Sequence, residues 1–395
     1  MTAEAPPRAG RPVPFWRDLR VLRLVAQVLV VLVVVAALAW MANNMLTTMS
    51  DRGLGFGFSF LGRQAGFGIS ESPIAYSPTS TYLTAFLVGL GNTLIVSFLG
   101  IVLATILGIV VGVARISSNW LLNRVAAGYV EFFRNTPLLV QLLLLYFAVF
   151  LQLPAIAESF TLGDVAFLNQ RGVYLPAPLT TANTLLWIGF IVVGIVLSFV
   201  ARAVARRRED AGQPAYRLRT LGVIGIVVLG VVGWFVAGGQ PIEFDVPARE
   251  RFNFAGGLRM SPQFAALLLG LVLYTAAFIG EVVRGGIQAV RRGQLEASRA
   301  LGFSEMQTLQ LVIFPQALRV IVPPLTSQYL NLTKNSSLAI AIGYPDLFRI
   351  GQTMANQTGQ PVSVMILIMG TYLAISLVTS LVMNLYNRRV QVAER

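Results

Sequence analysis

The sequence predicts an all-α integral membrane protein of about eight transmembrane helices, and three observations carry that prediction. Of 395 residues, 55% are hydrophobic and only 12% are charged, about half the roughly 25% charged share of a soluble domain. Mean hydropathy is +0.71. The apolar residues also fall in long blocks, and about 20 of them suffice to cross a hydrocarbon core about 30 Å thick at about 1.5 Å per residue. A water-soluble fold is excluded.

Eight blocks qualify. The first, 21–41, follows a polar, Pro-rich and basic stretch over 1–20. It is longer than the roughly 7–15 residues of a signal-peptide apolar region. It therefore reads as an extra anchoring helix over 21–43, although Ala37-Leu38-Ala39 resembles a cleavage site. A Gly/Ser/Phe-rich loop with few charges follows over 44–85. Spans 86–113 and 136–153 make a first core part, 86–153. Residues 154–262 read as an insertion holding spans 184–204 and 221–237, joined by an Arg-rich loop. Spans 264–283, 317–342 and 362–386 complete a second core part, 263–390. The seventh is the least regular, because Pro323-Pro324 interrupts it and Lys334 lies inside it.

Orientation follows from the excess of Arg and Lys in cytoplasmic loops. With both termini inside, residues 1–23 carry five basic residues, the loop after the second span three, 201–219 six, the loop after the sixth span five and the tail three. Only eight of the 30 Lys+Arg then lie outside. The acids divide as nine inside and eight outside, so the whole net charge of +13 sits on one face. The opposite orientation would reverse every loop.

Composition removes several functions. With no Cys and no His, the chain builds no disulfide, thiol nucleophile, His/Cys metal site or histidine base. Lys334 is the single Lys and no glycine precedes it at phosphate-loop spacing, so any ATP must be bound by another chain. The arginines are scattered over five loops beside anionic lipid headgroups and do not form the one-sided patch that nucleic acid requires. No catalytic residue and no metal site can be named.

The most informative stretch is 293–315. Leu295, Ser298, Ala300 and Leu301 lie on neighbouring turns, and Glu296 and Arg299 are spaced to pair. This predicts a short amphipathic helix closed by Gly302, since glycine adopts the left-handed conformation that ends helices. Ser304 is placed to cap a second helix over 305–313. Glu131…Arg134 and Glu281…Arg284 are i, i+3 acid–base pairs at the inner ends of spans, readable as structural pairs or as an inner gate. By residue chemistry alone the 293–315 stretch could also be a polar connector on the membrane surface.

Glu296-Ala297-Ser298, then Gly302, then nine residues to Val312-Ile313-Phe314-Pro315, resembles the E-A-A-x-x-x-G-x9-I-x-L-P loop of ABC importer permeases, with Ser298, Val312 and Phe314 as mild departures. Arg134-Asn-Thr-Pro-Leu-Leu-Val-Gln141, the run Tyr274 to Gly286, Pro315-Gln-Ala-Leu-Arg-Val320 and Gln328 to Leu338 are similar to the polar amino-acid permeases. The added length resembles the general L-amino-acid (glutamate, glutamine, aspartate, asparagine) type. The resemblance covers about 92–150 and 262–388. It implies a MetI-like core with a two-helix insertion. It implies coupling to an ATPase through Glu296, Ala297, Ser298, Gly302 and Pro315. It further implies two copies of that ATPase, which bind the ATP and Mg, a second permease subunit forming a heterodimer with this one, a periplasmic amino-acid-binding protein, and a multi-pass bacterial inner-membrane location.

Charged residues inside a span usually face protein or an aqueous cavity. Lys334, with Asn331, Asn335, Ser336 and Ser337, is the candidate substrate path; a cation there would suit an α-carboxylate. Lys334 could instead snorkel to the outer headgroups or pair with a partner subunit. The expected function is amino-acid import by alternating access. A self-contained secondary transporter is the alternative, disfavoured by the lack of inverted repeats and of intramembrane carboxylates.

Overall fold

The computed structural model describes residues 16, 18–51, 57–211, 216–250 and 253–390. Most of the basic stretch expected over 1–20 lies outside them. Six described helices are long and apolar enough to cross a membrane: Leu19–Met49, Tyr82–Ala114, Ala182–Glu209, Pro262–Gln288, Glu305–Ile342 and Pro361–Arg388. A bent pair supplies up to a seventh, and Thr220–Val236 is a shorter apolar helix.

In chain order, α1 (Leu19–Asp51) has no buried residue in its apolar stretch. The loop after it carries a short 3-10 turn, Ser59–Gly62, whose Phe60 is fully buried. Helix α2 (Tyr82–Ala114) starts where the Thr81 hydroxyl accepts from the Thr84 N–H, an N-cap that satisfies one orphan donor. Helix α3 (Trp120–Asn135) meets α4 (Leu138–Leu143, continued as a π turn to Val149 and a 3-10 turn to Gln152) at a 104° bend. The expected third span, 136–153, is thus only the second arm of a broken element.

The cause of the bend is local. Pro137 has no N–H to continue α3, and Gln141 folds back to donate to the Phe133 carbonyl (3.1 Å), the Thr136 carbonyl (3.1 Å) and the Thr136 hydroxyl (2.7 Å). Orphan acceptors at the end of α3 are satisfied by one buried amide.

The segment expected as an insertion, 154–262, is not only helical. Strands β1 (Phe160–Leu162), β2 (Ala166–Asn169), β3 (Gly172–Leu175) and β4 (Ala177–Leu179) precede α5 (Ala182–Asp210) and α6 (Tyr216–Val236). Strands β5 (Glu243–Asp245), β6 (Ala248–Arg249), β7 (Phe254–Ala255) and β8 (Leu258–Met260) follow. They form an antiparallel sheet in the order β1-β2-β3-β8 and two two-stranded pairs, β4-β5 and β6-β7. Tyr174 is its buried aromatic, against Phe254 at 4.7 Å between ring centroids. Helices α5 and α6 pack chiefly on each other, tied by Trp187 Nε1 donating to the Gly230 carbonyl at 2.9 Å.

After the strands comes α7 (Pro262–Gln288), capped by the Ser261 hydroxyl with Pro at its start. The short helices α8 (Arg292–Ala300) and α9 (Glu305–Thr308) follow, and a π turn, Leu309–Ile313, leads into α10 (Phe314–Asn335). A 3-10 segment, Ser336–Ile342, then α11 (Leu347–Thr358) and α12 (Pro361–Val390) complete the chain. Helix α10 runs unbroken through Pro323 and Pro324, contrary to the expected interruption there; regular α-helix ends at Asn335 instead.

Helix α7 is the most buried of the spanning helices, packed on α2, α3, α4 and α10. It runs parallel to α2 at very close range. A Cβ on Gly108 would meet Ile279 at 2.5 Å, and one on Gly112 would meet the Gly280 carbonyl at 2.7 Å. Small residues at such an interface let backbones approach where water supplies no hydrophobic drive. Both helices therefore start at the strand-bearing end and finish at the end carrying α8.

Candidate functional site

At the α8 end, the loop between α7 and α10 is a two-helix element. Helix α8 ends at Gly302, whose φ of +78° is left-handed backbone that costs a residue with a Cβ about 1–2 kcal/mol. The Ser304 hydroxyl accepts from the Gln307 N–H while the Gln307 side chain accepts from the Ser304 N–H, a reciprocal cap that restarts the helix. The two halves are pinned by Ser298, buried at 3% exposure. Its hydroxyl donates to the Leu295 carbonyl (2.8 Å) and accepts from the Thr308 hydroxyl (3.1 Å). The serine that departs from the E-A-A pattern thus bridges α8 to α9.

Glu296 and Ala297 are exposed on the far side of α8. Glu296 and Arg299, spaced to pair, make no ion pair with each other among the described residues. Leu301 and Met306 are 75% and 61% exposed, so a polar element presents two large apolar side chains at its turn. Pro315, also exposed, lies just inside α10 and withholds the N–H that the Leu311 carbonyl would take; the preceding turn loosens to π geometry.

Next to this loop, Glu281 joins two helices rather than one. Arg284 binds it at 2.8 Å (Nη2 to Oε2), and Arg115, at the end of α2, binds it at 3.1 Å (Nε to Oε1). Sequence spacing found Arg284 and missed Arg115, whose partner is 166 positions away. Arg134 does not repeat the pattern with Glu131. Its guanidinium lies 5.2 Å from the Phe278 ring centre and so ties the end of α3 to α7.

The Lys334 group occupies the half of α10 toward the strand-bearing end, where Leu332 fills the space over Gly100 of α2. Ser327, Asn331 and Lys334 are exposed and share one face of this spanning helix by their i, i+4, i+7 spacing, a polar stripe. Lys334 has no ion pair among the described residues. Asn335 and Ser337 are half-buried beside it. Ser336 is fully buried and donates to the Thr333 carbonyl at 2.7 Å, on the packed side of the chain. The expected path residues therefore divide between two faces. Beyond them, buried Asp346 caps α11 by accepting from the Arg349 N–H at 2.8 Å, and burial pushes its carboxyl up to about 7. No group of three potential metal ligands occurs among the described residues.

The model of the binding-protein-dependent transport system inner membrane component family matches residues 100–392. YhdX of Escherichia coli (strain K12) is 46% identical over 374 residues, 93% of this chain and 94% of that protein. The general L-amino acid transport system permease protein AapQ of Rhizobium johnstonii is 43% identical, covering 93% and 92%. The glutamate/glutamine/aspartate/asparagine transport system permease protein BztB of Rhodobacter capsulatus is 40% identical over 100% and 99%. Among solved structures, an amino acid ABC transporter crystallised with histidines aligns at TM-score 0.47 and 23% identity over 78% of this chain and 95% of that one.

Proposed function

The chain belongs to the family of binding-protein-dependent transport system inner membrane components, and from that premise we propose that it is the permease subunit of an ATP-driven importer of polar L-amino acids. The observation that carries this reading is the α8–Gly302–α9 element, pinned within itself by Ser298 and Thr308 and exposing Glu296, Ala297, Leu301 and Met306 to a neighbour. That neighbour is an ATPase subunit, present in two copies, which binds the ATP and Mg.

The loop joins α7 and α10 directly, so a push on it reaches the most buried spanning helix and the helix carrying Lys334. Closure of two cassettes tilts these helices as rigid bodies and alternates access. The α8 end faces the cytoplasm, in line with the charge distribution, and both termini lie on that side of the inner membrane. The Ser327–Asn331–Lys334 stripe faces a second permease subunit across the path, because exposed polar groups on a spanning helix are costly against lipid. A homologous but distinct second permease makes the pair a heterodimer. A periplasmic binding protein delivers the substrate, and the path amides and Lys334 meet its ammonium and carboxylate groups. Family membership lends no support to a self-contained secondary transporter.

Reconstitution separates the two readings. Vesicles holding the permease pair, the ATPase and the binding protein should accumulate L-glutamate or L-glutamine only with ATP inside the compartment that bears the ATPase. Gradient-driven uptake by this chain alone would overturn the assignment.

A further inference from the structure

At the strand-bearing end of the α2–α7 pair, a cavity of about 550 Å3 lies between the loop Ser70–Pro73, strand β8, the first turn of α7 and the flank of α2. Its size falls within the roughly 300–1,000 Å3 of small-molecule sites. None of the coupling or path residues described above lines it.

The loop is held firmly. The buried Asn92 amide donates at 2.9 Å to the Glu71 carbonyl and at 2.9 Å to the Pro345 carbonyl, clamping two segments to α2. Pro73 fits against Gly91, where a Cβ would meet the proline ring at 2.8 Å. With its backbone fixed, half-buried Glu71 lines the cavity beside Ser261, whose hydroxyl caps α7. Burial raises its pKa, while Ser261 and Arg259 pull it back toward the ionised form.

On the strand side stands Arg259, its guanidinium over the Tyr174 ring at 6.0 Å and within 3.5 Å of the Arg171 carbonyl. No ion pair within 4 Å joins Glu71 to Arg259, or either of them to another described residue. Two opposite charges thus line one cavity without touching. Glu71 loses hydration there and gains no ion pair in return, while Arg259 keeps its charge facing the opening. A ligand with an ammonium and a carboxylate on neighbouring atoms supplies both missing partners.

We propose that this cavity is a receiving site for a free α-amino acid, Glu71 taking the α-ammonium and Arg259 the α-carboxylate, set between the delivering protein and the path at Lys334. It rests on the amino-acid importer reading and on the strand-bearing end facing outward. Ser261 and the Gln263 amide add neutral hydrogen-bonding groups. The exposed position of Arg259 on β8 keeps the site open to the aqueous side, as a stop on a route must be.

The test uses the complete importer in proteoliposomes, with radiolabelled L-glutamine as the probe and Glu71→Gln and Arg259→Gln made singly and together. Two quantities are read: uptake per ATP hydrolysed, and the concentration of liganded binding protein that half-saturates ATPase stimulation. Uptake per ATP should fall about tenfold or more in the double variant, as befits loss of charge-assisted contacts to a ligand, with half-saturation unchanged. Glu71→Asp and Arg259→Lys should recover most of it. Wild-type uptake per ATP in the double variant would overturn the proposal. So would a raised half-saturating concentration with uptake per ATP intact, which would make the cavity a docking surface for the binding protein. If Glu71→Gln fails to co-purify with the ATPase, Arg259→Gln on the open strand carries the same test alone. Absence of any L-amino-acid uptake by the unaltered importer would overturn the parent reading, and this proposal with it.

Discussion

Gly302 is where a backbone angle sets the shape of the proposed coupling element, and its replacement has a computable cost. At φ +78° a side chain meets torsional strain, yet a Cβ there has nothing within 4 Å, so packing in this chain adds no further penalty. The cost is then the left-handed term alone, about 1–2 kcal/mol for Ala, which lowers the population of the folded-back loop by about 5–30-fold. Asn tolerates this region and should cost least, whereas β-branched Val should cost most. The assay is ATP-coupled uptake in proteoliposomes beside co-purification of the ATPase, with Gly302→Asn, Gly302→Ala and Gly302→Val compared. Coupling should fall in that order. Equal activity in all three would show that the left-handed turn is not needed. Asn being as damaging as Val would shift the cause from torsion to a side chain intruding on the ATPase interface.

Three further outcomes are expected. Arg115→Gln and Glu281→Gln should be non-additive in a thermal-unfolding double-mutant cycle, with a coupling energy of about 0.5–3 kcal/mol; strict additivity would reduce the bridge between α2 and α7 to a surface contact. Lys334→Met should cut uptake while ATPase stimulation by the binding protein persists, and an unchanged transport rate would make Lys334 a snorkelling residue. Asp346 holds its proton to about 7 in the folded chain but to about 3.9 when unfolded. Its contribution to stability is full below the lower value and lost as pH rises through the upper one. Asp346→Asn should therefore flatten the decline in melting temperature between pH 5 and 7; an undiminished decline would assign it to other groups.

Six of the expected spans were legible because a bilayer demands length and apolarity together, and both can be read residue by residue. The turn and restart of the 293–315 loop were legible too, since Gly302 and the Ser304 cap are local signals. What sequence missed was long-range or cooperative. Arg115 reaches Glu281 only because Gly108 and Gly112 bring α2 onto α7. The 104° bend before α4 depends on Gln141 turning back past Pro137. Pro323-Pro324 misled because both face outward, while the flanking Ile321, Val322 and Leu325 are buried and α10 packs on α7 and α12. The strands within 154–262 escaped notice since each is only two to four residues long, too short for period-two alternation to register.

The central claim is that energy enters this chain mechanically through α8 and α9, and its natural lack of cysteine makes a direct measurement available. Ala297→Cys would place a single thiol on the exposed face of α8. In membranes carrying the assembled importer, a short bifunctional reagent should join this position to an ATPase subunit that also carries one engineered cysteine, and added ATP should change the yield. Labelling of Ala297→Cys solely from the periplasmic side, or the absence of any ATPase adduct in a transport-competent complex, would contradict it.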